Sequence, residues 1–426
     1  MRLFGLREGA DSQSASTLVA TSLAHFVNDG SLYILITLYS KLLPSEYLLI
    51  GILGALQNTF SVAVGPIVGR KADASKSYGK LLSIGILFIG VGILGYSAST
   101  VFVHGFSRFI FLLPFSVLAG IGSCFYHPIG AAAIHDKWTG KKVGWAMGVN
   151  GSIGSLGRAT YPLFTIALVV YLTIPSVGVL AAVAFVSASL IASMLRGVQF
   201  GRSQSVTENA KSSEIGEVPH EKAVQVPLSQ ILPRVLGLTI IAFSRSLLSQ
   251  GIVYFVPSYI SRVLGIQYGF ELGVMFSLML GMAVVGQPVF GSIADRIGRK
   301  LTLGIAMVGT SIGLLLFLQS TNVVMATIFL SVFGFFVFTG FPLIMPLATS
   351  IVPEGAGVMS GSIVWGVGII GGGAVGPLLV GVLAQPFALG SLSIAFYVLA
   401  FAAIASIALL PSIPKMSEEN NGARHH

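Results

Sequence analysis

The octapeptide PIVGRKAD at residues 66–73 returns as PVFGSIAD at residues 288–295, with Pro, Gly, Ala and Asp at the same spacing. Each copy follows a long apolar run. Other positions repeat at nearly the same offset: Gly30, Tyr33 and Lys41 match Gly251, Tyr254 and Arg262. A duplication on this scale predicts a protein of two similar halves.

The composition places both halves in a membrane. Hydrophobic residues make up 54% of the chain and charged residues only 9%, whereas soluble domains carry about 25% charged residues. Apolar runs of roughly 20 residues, the length that crosses a bilayer as a helix, recur along the whole chain. We therefore predict an all-α membrane protein with twelve transmembrane helices in two pseudo-symmetric six-helix bundles. The predicted spans are 17–40, 47–69, 80–99, 104–128, 143–170, 174–196, 232–260, 270–292, 301–319, 323–348, 357–384 and 388–411.

The basic residues predict the orientation of these spans. An even number of spans puts both termini on one side of the membrane. Of the 24 Lys and Arg residues, only Lys41 and Arg262 fall in gaps on the opposite side. Because an excess of Lys and Arg in short loops marks the cytoplasm, we expect both termini to be cytoplasmic in a protein of the cell membrane.

One long polar stretch, residues 198–230, divides the chain. Its low hydrophobicity and mixed charge are typical of a flexible linker, here a cytoplasmic one. We predict an N-terminal bundle at 1–197, a C-terminal bundle at 231–414 and a cytoplasmic tail at 415–426.

The net charge and the number of cysteines argue against several classes of function. The net charge of +9 suits contact with anionic lipid headgroups and is poor evidence for nucleic-acid binding. The single cysteine, Cys124, excludes a disulfide within the chain and a Cys-rich metal site. We expect no metal, no cofactor and no nucleic-acid partner, and a monomer in the lipid bilayer.

Ionisable side chains inside the predicted spans point to a functional path. Asp29, Arg158 and Arg245 lie near the middle of spans 1, 5 and 7, and Arg108 lies nearer the outer end of span 4. A charge at the centre of a membrane helix costs about 2.5–3.5 kcal/mol, so such residues usually face a water-filled cavity. The alternative is a permanent bridge from Asp29 to one of the arginines that only holds helices together.

The balance of these charges predicts the substrate. Guanidinium groups suit carboxylate, phosphate or phosphonate, so two central arginines against one carboxylate favour a small anionic or zwitterionic substrate. His25 and Asp29 are four residues apart and share a helix face, so we expect this pair to carry a coupling proton. The expected substrate-binding residues are Arg158, Arg245, Asn28, Tyr33, Tyr254, Gln250 and Arg108.

The loop sequences resemble those of a known family. GSIADRIGRK (291–300) is similar to the loop motif between the second and third helices of each half in the major facilitator superfamily. GRKADASKSYGK (69–80) is a looser copy in the first half, and GVNGSIGSLGRATYP (148–162) resembles the Gly-rich fifth-helix motif of the superfamily's antiporters.

Three further stretches resemble the fosmidomycin-resistance group of these transporters: AHFVNDG (24–30), GPIVGRKAD (65–73) and GIGSCFYHP (120–128). The superfamily resemblance implies a secondary active transporter that works by rocker-switch alternating access. The group resemblance implies drug resistance through efflux of an anionic compound in exchange for protons. Anion uptake by proton symport and broad-range drug/proton antiport remain open alternatives.

The repeated loops are expected to form a cytoplasmic gate. Asp73 and Asp295 lie among basic residues at predicted cytoplasmic helix ends, where a carboxylate can hold neighbouring helices together. A solvated turn is the alternative. Pro128 is expected to end helix 4 at the membrane edge, with His127 as a gate or proton site. The expected gate residues are Asp73, Arg70, Lys71, Gly291, Asp295, Arg296, Arg299, Lys300 and His127.

Other functions fit these residues less well. A membrane-embedded enzyme needs a nucleophile or metal constellation at one depth, and we find none in the sequence. No Gly-rich phosphate-binding loop with Lys-Ser/Thr occurs, so pumping driven by ATP is not expected. A channel would not require paired gate motifs. We therefore expect a transporter and not an enzyme.

Overall fold

The structure is a computed structural model that describes residues 12–138, 141–200, 226–353 and 355–414. Nearly all residues in these ranges are helical, and none of them lies in a strand. The helices are α1 (Ser12–Leu42), α2 (Tyr47–Ala63), α3 (Gly65–Ser75), α4 (Tyr78–Phe102), α5 (Gly105–Cys124), α6 (Tyr126–Lys137), α7 (Lys141–Tyr171), α8 (Gly178–Met194), α9 (Leu228–Arg262), α10 (Phe270–Ile297), α11 (Arg299–Leu318), α12 (Val323–Val337), α13 (Gly340–Ser350), α14 (Gly357–Ile363), α15 (Gly371–Leu383) and α16 (Leu392–Ile407). A π-helical segment, Val364–Ile370, joins α14 to α15.

The helices confirm the predicted fold class, an all-α membrane protein. Every predicted span overlaps helical residues, and several spans, such as 47–69 and 104–128, consist of two successive helices. Within the described ranges, nine helices are long and apolar enough to cross a bilayer when such pairs are counted as one. Two shorter apolar helices, Val323–Val337 and Leu392–Ile407, accompany them.

The predicted end of helix 4 at Pro128 is wrong. Helix α5 ends at Cys124, and α6 continues from Tyr126 to Lys137. Pro128 lies in the first turn of α6, where backbone N–H groups have no intrahelical acceptor. The proline is therefore tolerated at the start of a helix, and His127 lies inside helical structure instead of at its end.

The chain divides into two compact units. Unit 1 comprises residues 1–35 and 60–220, and unit 2 comprises residues 36–59 and 221–426. The division passes through α1 and α2, whose adjoining ends belong to unit 2.

The predicted domain boundaries stay predictions. Most of the predicted linker, residues 201–225, and the predicted tail, residues 415–426, lie outside the described residues.

Glycines bring α1 and α7 close together in unit 1. A Cβ atom at Gly157 would lie 2.2 Å from the backbone oxygen of Phe26, and one at Gly154 would lie 2.3 Å from the ring of His25. By contrast, a Cβ at Gly148 or Gly151 would meet nothing within 4 Å. The close approach places the polar residues of α7 against the polar face of α1.

Glycines also bring α9 and α15 close together in unit 2. A Cβ atom at Gly372 would lie 2.2 Å from the backbone oxygen of Phe243, and one at Gly376 would lie 2.3 Å from that of Leu247. Both glycines follow the π-helical segment, so its geometry decides which face of α15 meets α9.

Candidate functional site

The polar face of α1 meets α6 and α7 in unit 1. At the centre is Asp29, whose residue surface is 7% exposed. Helix α1 contributes three side chains, α6 one and α7 two. We call this set the Asp29 cluster: His25, Asn28, Asp29, His127, Asn150 and Arg158.

Both oxygens of the Asp29 carboxylate have nitrogen partners. Oδ2 lies 3.3 Å from Nε2 of His25 and 3.5 Å from Nε of Arg158. Oδ1 lies 3.7 Å from Nε2 of His127 and accepts a hydrogen bond of 3.0 Å from Nδ2 of Asn28. A desolvated carboxylate requires such partners, because a buried charge without them is strongly destabilising.

The hydrogen bonds of His25 determine where its proton lies. Nδ1 is 2.9 Å from the backbone oxygen of Asn150, which can only accept, so Nδ1 carries the hydrogen. In a neutral imidazole Nε2 then has a lone pair, and this atom faces Oδ2 of Asp29 at 3.3 Å. Two lone pairs do not attract each other. An attractive contact between these two atoms therefore needs one more proton, on Nε2 or on the carboxyl group.

The ring of His25 is held from two sides. It stacks on Tyr126 with ring centroids 4.4 Å apart. The hydroxyl of Tyr126 donates a 2.6 Å hydrogen bond to Oδ1 of Asn150, which also lies 3.0 Å from Nδ1 of His25. Outer partners of this kind orient an imidazole and select its tautomer.

The cluster is exposed on one edge, at His127. Its side chain is 58% exposed, whereas those of His25 and Asp29 are 13% and 10% exposed. The rings of His127 and His25 meet edge to face at 5.7 Å. His127 therefore connects the buried carboxylate to the accessible surface, and it belongs to this cluster rather than to the exposed loop motifs.

Arg158 is the arginine of the cluster. Its Nη2 donates a 2.7 Å hydrogen bond to Oγ of Ser155, and the hydroxyl of buried Tyr33 lies against the guanidinium. The structure thus unites six of the residues expected from sequence: His25, Asn28, Asp29, Tyr33, His127 and Arg158.

Sequence reasoning missed the neutral members of the site. Asn150, Tyr126 and Ser123 have no charge to mark them in an apolar run, although Nδ2 of Asn28 lies 3.5 Å from Oγ of Ser123. One signal was available: Asn150, Gly154 and Arg158 follow one another at intervals of four and so share a face of α7.

Arg245 belongs to unit 2, where it is 6% exposed. Its Nη2 donates to the backbone oxygens of Phe336 and Val337, at 3.3 and 3.1 Å. These are among the last carbonyls of α12, which carry the negative end of the helix dipole, and that of Phe336 also accepts from Thr339. Within the described ranges, Nη1 of Arg245 has no hydrogen-bond partner. Arg245 caps a helix here, and its predicted role in substrate binding stays a prediction.

The other expected binding residues lie at separate places. Tyr254 is buried in unit 2, and its hydroxyl donates to Oε1 of Gln57 at 3.2 Å. Gln250 is half-buried one helical turn earlier on α9. Arg108 lies in the first turn of α5 and donates to the backbone oxygen of Val103 at 3.3 Å, roughly 20 Å along the helix from Ser123.

The expected gate residues of unit 1 are on the surface. Nζ of Lys76 lies 3.8 Å from Oδ1 of Asp73, and both side chains are exposed. The pKa of Lys76 is raised, because its ammonium group donates a hydrogen bond to the hydroxyl of Tyr78. Arg70 and Lys71 are exposed on α3. An exposed pair of this kind stabilises a protein by less than about 1 kcal/mol.

The expected gate residues of unit 2 show a different contact. Nζ of Lys300 donates to the backbone oxygen of Ile413 at 2.6 Å, which ties the start of α11 to the end of the described chain. Asp295 and Arg296 are exposed, and no ion pair of Asp295 occurs within the described ranges. A Cβ at Gly291 would meet nothing within 4 Å, and Arg299 is half-buried at the first position of α11. The gate therefore stays a prediction.

Comparison with known proteins agrees with the architecture. The family profile of the Major Facilitator Superfamily matches residues 19–371 and 269–425. No curated relative matches the chain by sequence.

Two solved transporters share the fold. A bacterial homologue of the human lysosomal transporter Spinster, in an inward-facing and unoccupied conformation, has a TM-score of 0.66 and 17% identity over 95% of this chain and 96% of that chain. A bacterial homologue of the iron transporter ferroportin, in an inward-facing state, has a TM-score of 0.67 and 14% identity over 94% of this chain and 98% of that chain.

The family match covers most of the chain and confirms the superfamily resemblance of the loop motifs. The narrower resemblance to the fosmidomycin-resistance group stays a prediction. The chain belongs to the major facilitator superfamily, and it is a multi-pass membrane transporter rather than an enzyme.

Proposed function

We propose that this transporter moves a small organic anion or zwitterion together with a proton, by rocker-switch alternating access, and that the Asp29 cluster is its coupling site. It acts as a monomer in the cell membrane with both termini in the cytoplasm. The observation that carries the proposal is the contact between Nε2 of His25 and Oδ2 of Asp29, because a proton between these atoms would make the contact attractive.

In this proposal Arg158 couples proton binding to the binding of the substrate's anionic group. With the shared proton in place, His25 balances the charge of Asp29, and the guanidinium of Arg158 can bind an anionic group. When the proton leaves, His25 no longer balances the carboxylate. Arg158, whose Nε is already 3.5 Å from Oδ2, then becomes its main charge partner and releases the anion. The route for the proton is the exposed ring of His127.

This linkage favours co-transport over the exchange that the group resemblance implies. A proton that makes Arg158 available to the anion must bind in the same half of the cycle as the anion. In an exchanger, proton and substrate compete for one state. Uptake by symport is therefore the direction that the geometry supports best, and proton-driven efflux is the alternative.

A divalent cation is the second candidate substrate. Donor atoms of His25, Asp29 and His127 lie within 4.8 Å of one another, a spacing that a cation can bridge, and one similar structure is a homologue of an iron transporter. The guanidinium of Arg158, 3.5 Å from the same carboxylate, repels such an ion. The guanidinium of Arg158 does not repel an organic anion.

Proton flux in proteoliposomes tests the proposal. Vesicles that contain a pH-sensitive dye are given fosmidomycin, phosphonoacetate or a small carboxylate from outside. We expect the lumen to become acidic on addition of a transported anion. Alkalinisation would establish exchange and reject symport, and counterflow of labelled anion without any pH change would reject proton coupling.

Two variants serve as controls. Asp29→Asn should abolish the pH change but retain counterflow, because the amide keeps the size of the side chain and loses the titratable group. Ser155→Ala removes one hydrogen bond to Arg158 and should reduce both signals to a similar, smaller extent. If Mn²⁺ enters the vesicles and no anion does, the cation candidate replaces the anion.

A further inference from the structure

A small cavity lies inside unit 2, beside the buried guanidinium of Arg245. Its volume is about 10 Å³, which is enough for a single particle of the size of a water molecule. Side chains of four helices line it, and all of these lining residues are buried. They are Arg245 and Leu248 on α9, Met307 and Thr310 on α11, Val337 on α12 and Ala403 on α16.

Arg245 brings a positive charge to this cavity without a carboxylate partner. No ion pair of Arg245 occurs among the described residues. The acidic residues in the described part of unit 2 are exposed and lie at or next to helix ends: Glu46, Glu271 and Asp295. A buried charge without compensation is strongly destabilising, so a counter-charge beside Arg245 would stabilise the protein.

The hydrogen bonds of Arg245 leave one nitrogen of the guanidinium available. Nη2 donates to the backbone oxygens of Phe336 and Val337. Nη1 is buried and has no hydrogen-bond partner among the described residues. Carbonyl oxygens carry only partial charges, so the bonds of Nη2 do not balance a full positive charge. An acceptor in the adjoining cavity would use the hydrogens of Nη1 and supply the missing negative charge.

A glycine at the start of α13 makes room for the guanidinium. A Cβ atom at Gly340 would lie 2.8 Å from Nε and 3.0 Å from Nη2 of Arg245. A side chain at this position would therefore displace the guanidinium from the carbonyls at the end of α12. Arg245 is held in one orientation, as the charged residue of a binding site has to be.

Thr310 supplies the second polar group of the cavity. Its hydroxyl donates to the backbone oxygen of Ala306 at 2.7 Å. In a helix that oxygen also accepts the N–H of Thr310, so the hydroxyl can turn towards another acceptor at little cost. A particle in the cavity thus meets N–H and O–H donors and hydrocarbon, and it meets no carboxylate. This lining favours an anion over a cation. The apolar lining residues are Leu248, Met307, Val337 and Ala403.

We propose that this cavity binds one chloride ion, which neutralises Arg245 and joins α9 to α11 and α12 within the second half of the chain. The guanidinium selects an anion, and the volume selects a monatomic one, because a carboxylate or phosphate group is much larger than a water molecule. The flexible side chain of Met307 accommodates the small difference in radius between water and chloride. A single water molecule, which leaves the charge of Arg245 in place, is the competing occupant.

This site is separate from the proposed function. It shares no residue with the Asp29 cluster, which belongs to unit 1, and it is too small for an organic substrate. The chloride ion is a structural ligand, so its effect is on the stability of the folded protein. It does not depend on the direction of transport or on proton coupling.

Thermal unfolding of the purified full-length protein in detergent tests the proposal. Sodium chloride replaces sodium gluconate at constant ionic strength, so that only the anion changes. We expect the melting temperature to rise by about 3 °C between no chloride and about 100 mM chloride, the effect of a ligand at roughly 100 times its Kd. Sodium bromide should act like sodium chloride, because bromide is monatomic. Sodium acetate should act like sodium gluconate, because acetate does not fit.

Ala403→Val fills the cavity and leaves Arg245 and its bonds to α12 in place. In this variant the melting temperature should no longer depend on chloride. The matched control is Ala402→Val, which adds the same atoms at the neighbouring, exposed position of α16 and should retain the full rise. Thr310→Val covers the case that Ala403→Val fails to fold. It replaces the hydroxyl by a methyl group and should raise the chloride concentration at half effect about tenfold.

Arg158→Met separates this site from the anion site of the proposed function. It removes the guanidinium of the Asp29 cluster and should leave the chloride-dependent rise unchanged. A protein that transports no organic anion but shows the full pattern of chloride responses supports the chloride site and rejects the substrate assignment.

Three outcomes would overturn the chloride site. A melting temperature that does not respond to chloride shows that water occupies the cavity. An equal rise in Ala403→Val and Ala402→Val shows a general effect of the salt. A rise that disappears in Arg158→Met and persists in Ala403→Val assigns the chloride to the Asp29 cluster.

Discussion

The same helical positions carry different chemistry in the two halves of the chain. The offset that matches Tyr33 with Tyr254 also matches His25 with Ser246, Asn28 with Ser249 and Asp29 with Gln250. In α1 these positions place His25 and Asn28 against the carboxylate of Asp29. In α9 Ser246 and Ser249 donate to backbone oxygens. The duplication therefore preserves the fold while ionisable groups occupy these positions only in the first half.

The two buried arginines show the same contrast. Arg158 has side-chain partners that can change their protonation or rotamer, and its side chain is 19% exposed. Arg245 has the carbonyls at the end of α12 as partners, which cannot change. A guanidinium on backbone oxygens stabilises a helix end, whereas one beside a titratable carboxylate can act as a switch. The kind of partner, more than the depth, separates the two roles.

The largest expected effect comes from Asp29→Asn. Removing the carboxylate eliminates the shared proton, and we expect proton-driven accumulation to fall about 100-fold or more, in line with breaking a buried charge network. Exchange of substrate at equal pH on both sides should persist. If a pH gradient still drives uptake by this variant, the coupling site lies elsewhere. The two halves would then not differ in the way described above.

The second-largest expected effect is the difference in anion transport between Arg158→Met and Arg245→Met. We expect Arg158→Met to abolish anion transport with little loss of thermal stability in detergent. Arg245→Met should destabilise the protein by about 2–3 kcal/mol, because two carbonyls lose a charged donor, and should retain transport per folded molecule. A well-folded Arg245 variant without transport would support the substrate-binding role expected from sequence.

A smaller effect is expected from Gly154→Ala. The added methyl group would lie 2.3 Å from the ring of His25 and must displace it, so we expect proton-coupled uptake to fall about tenfold, as for a misplaced catalytic group. The matched control is Gly151→Ala, one turn earlier on α7, where the methyl group meets nothing within 4 Å. Equal activity of the two variants would show that the position of His25 is unimportant.

The smallest effect is expected from Asp73→Asn. The exposed pair with Lys76 contributes less than about 1 kcal/mol, so the melting temperature in detergent should shift only slightly. A large loss of stability would show that Asp73 makes a stronger contact than the one with Lys76. A change in transport alone, with unchanged melting, would support the predicted gate.

Much of the fold could be predicted because the bilayer leaves few alternatives. A run of about 20 apolar residues has to be a spanning helix, and a repeated loop motif has to mean repeated helices. His25, Asp29 and Arg158 could be selected for the same reason, since charges inside such runs are rare.

The rest of the site depends on which helices are neighbours. Asn150 and Tyr126 are ordinary residues of apolar helices until α6 and α7 are brought against His25. The sequence could not distinguish the surroundings of Arg245 from those of Arg158. The partners of Arg245 are backbone carbonyls at the end of α12, and no charged residue in the sequence marks the position of that helix end. The continuation of the helix past Pro128 could not be predicted, because proline is compatible both with a helix end and with a first turn.

The π-helical segment Val364–Ile370 has a consequence for insertions and deletions in this protein. A π turn contains one residue more than an α turn, so the segment stores a surplus residue without turning the helix that follows. Deleting exposed Val367 would remove the surplus and leave every later side chain on its present face. The same deletion within α15 would rotate the remaining helix by about 100° and turn its glycines away from α9. A deletion of one residue in this segment would therefore leave the packing of α15 against α9 in register.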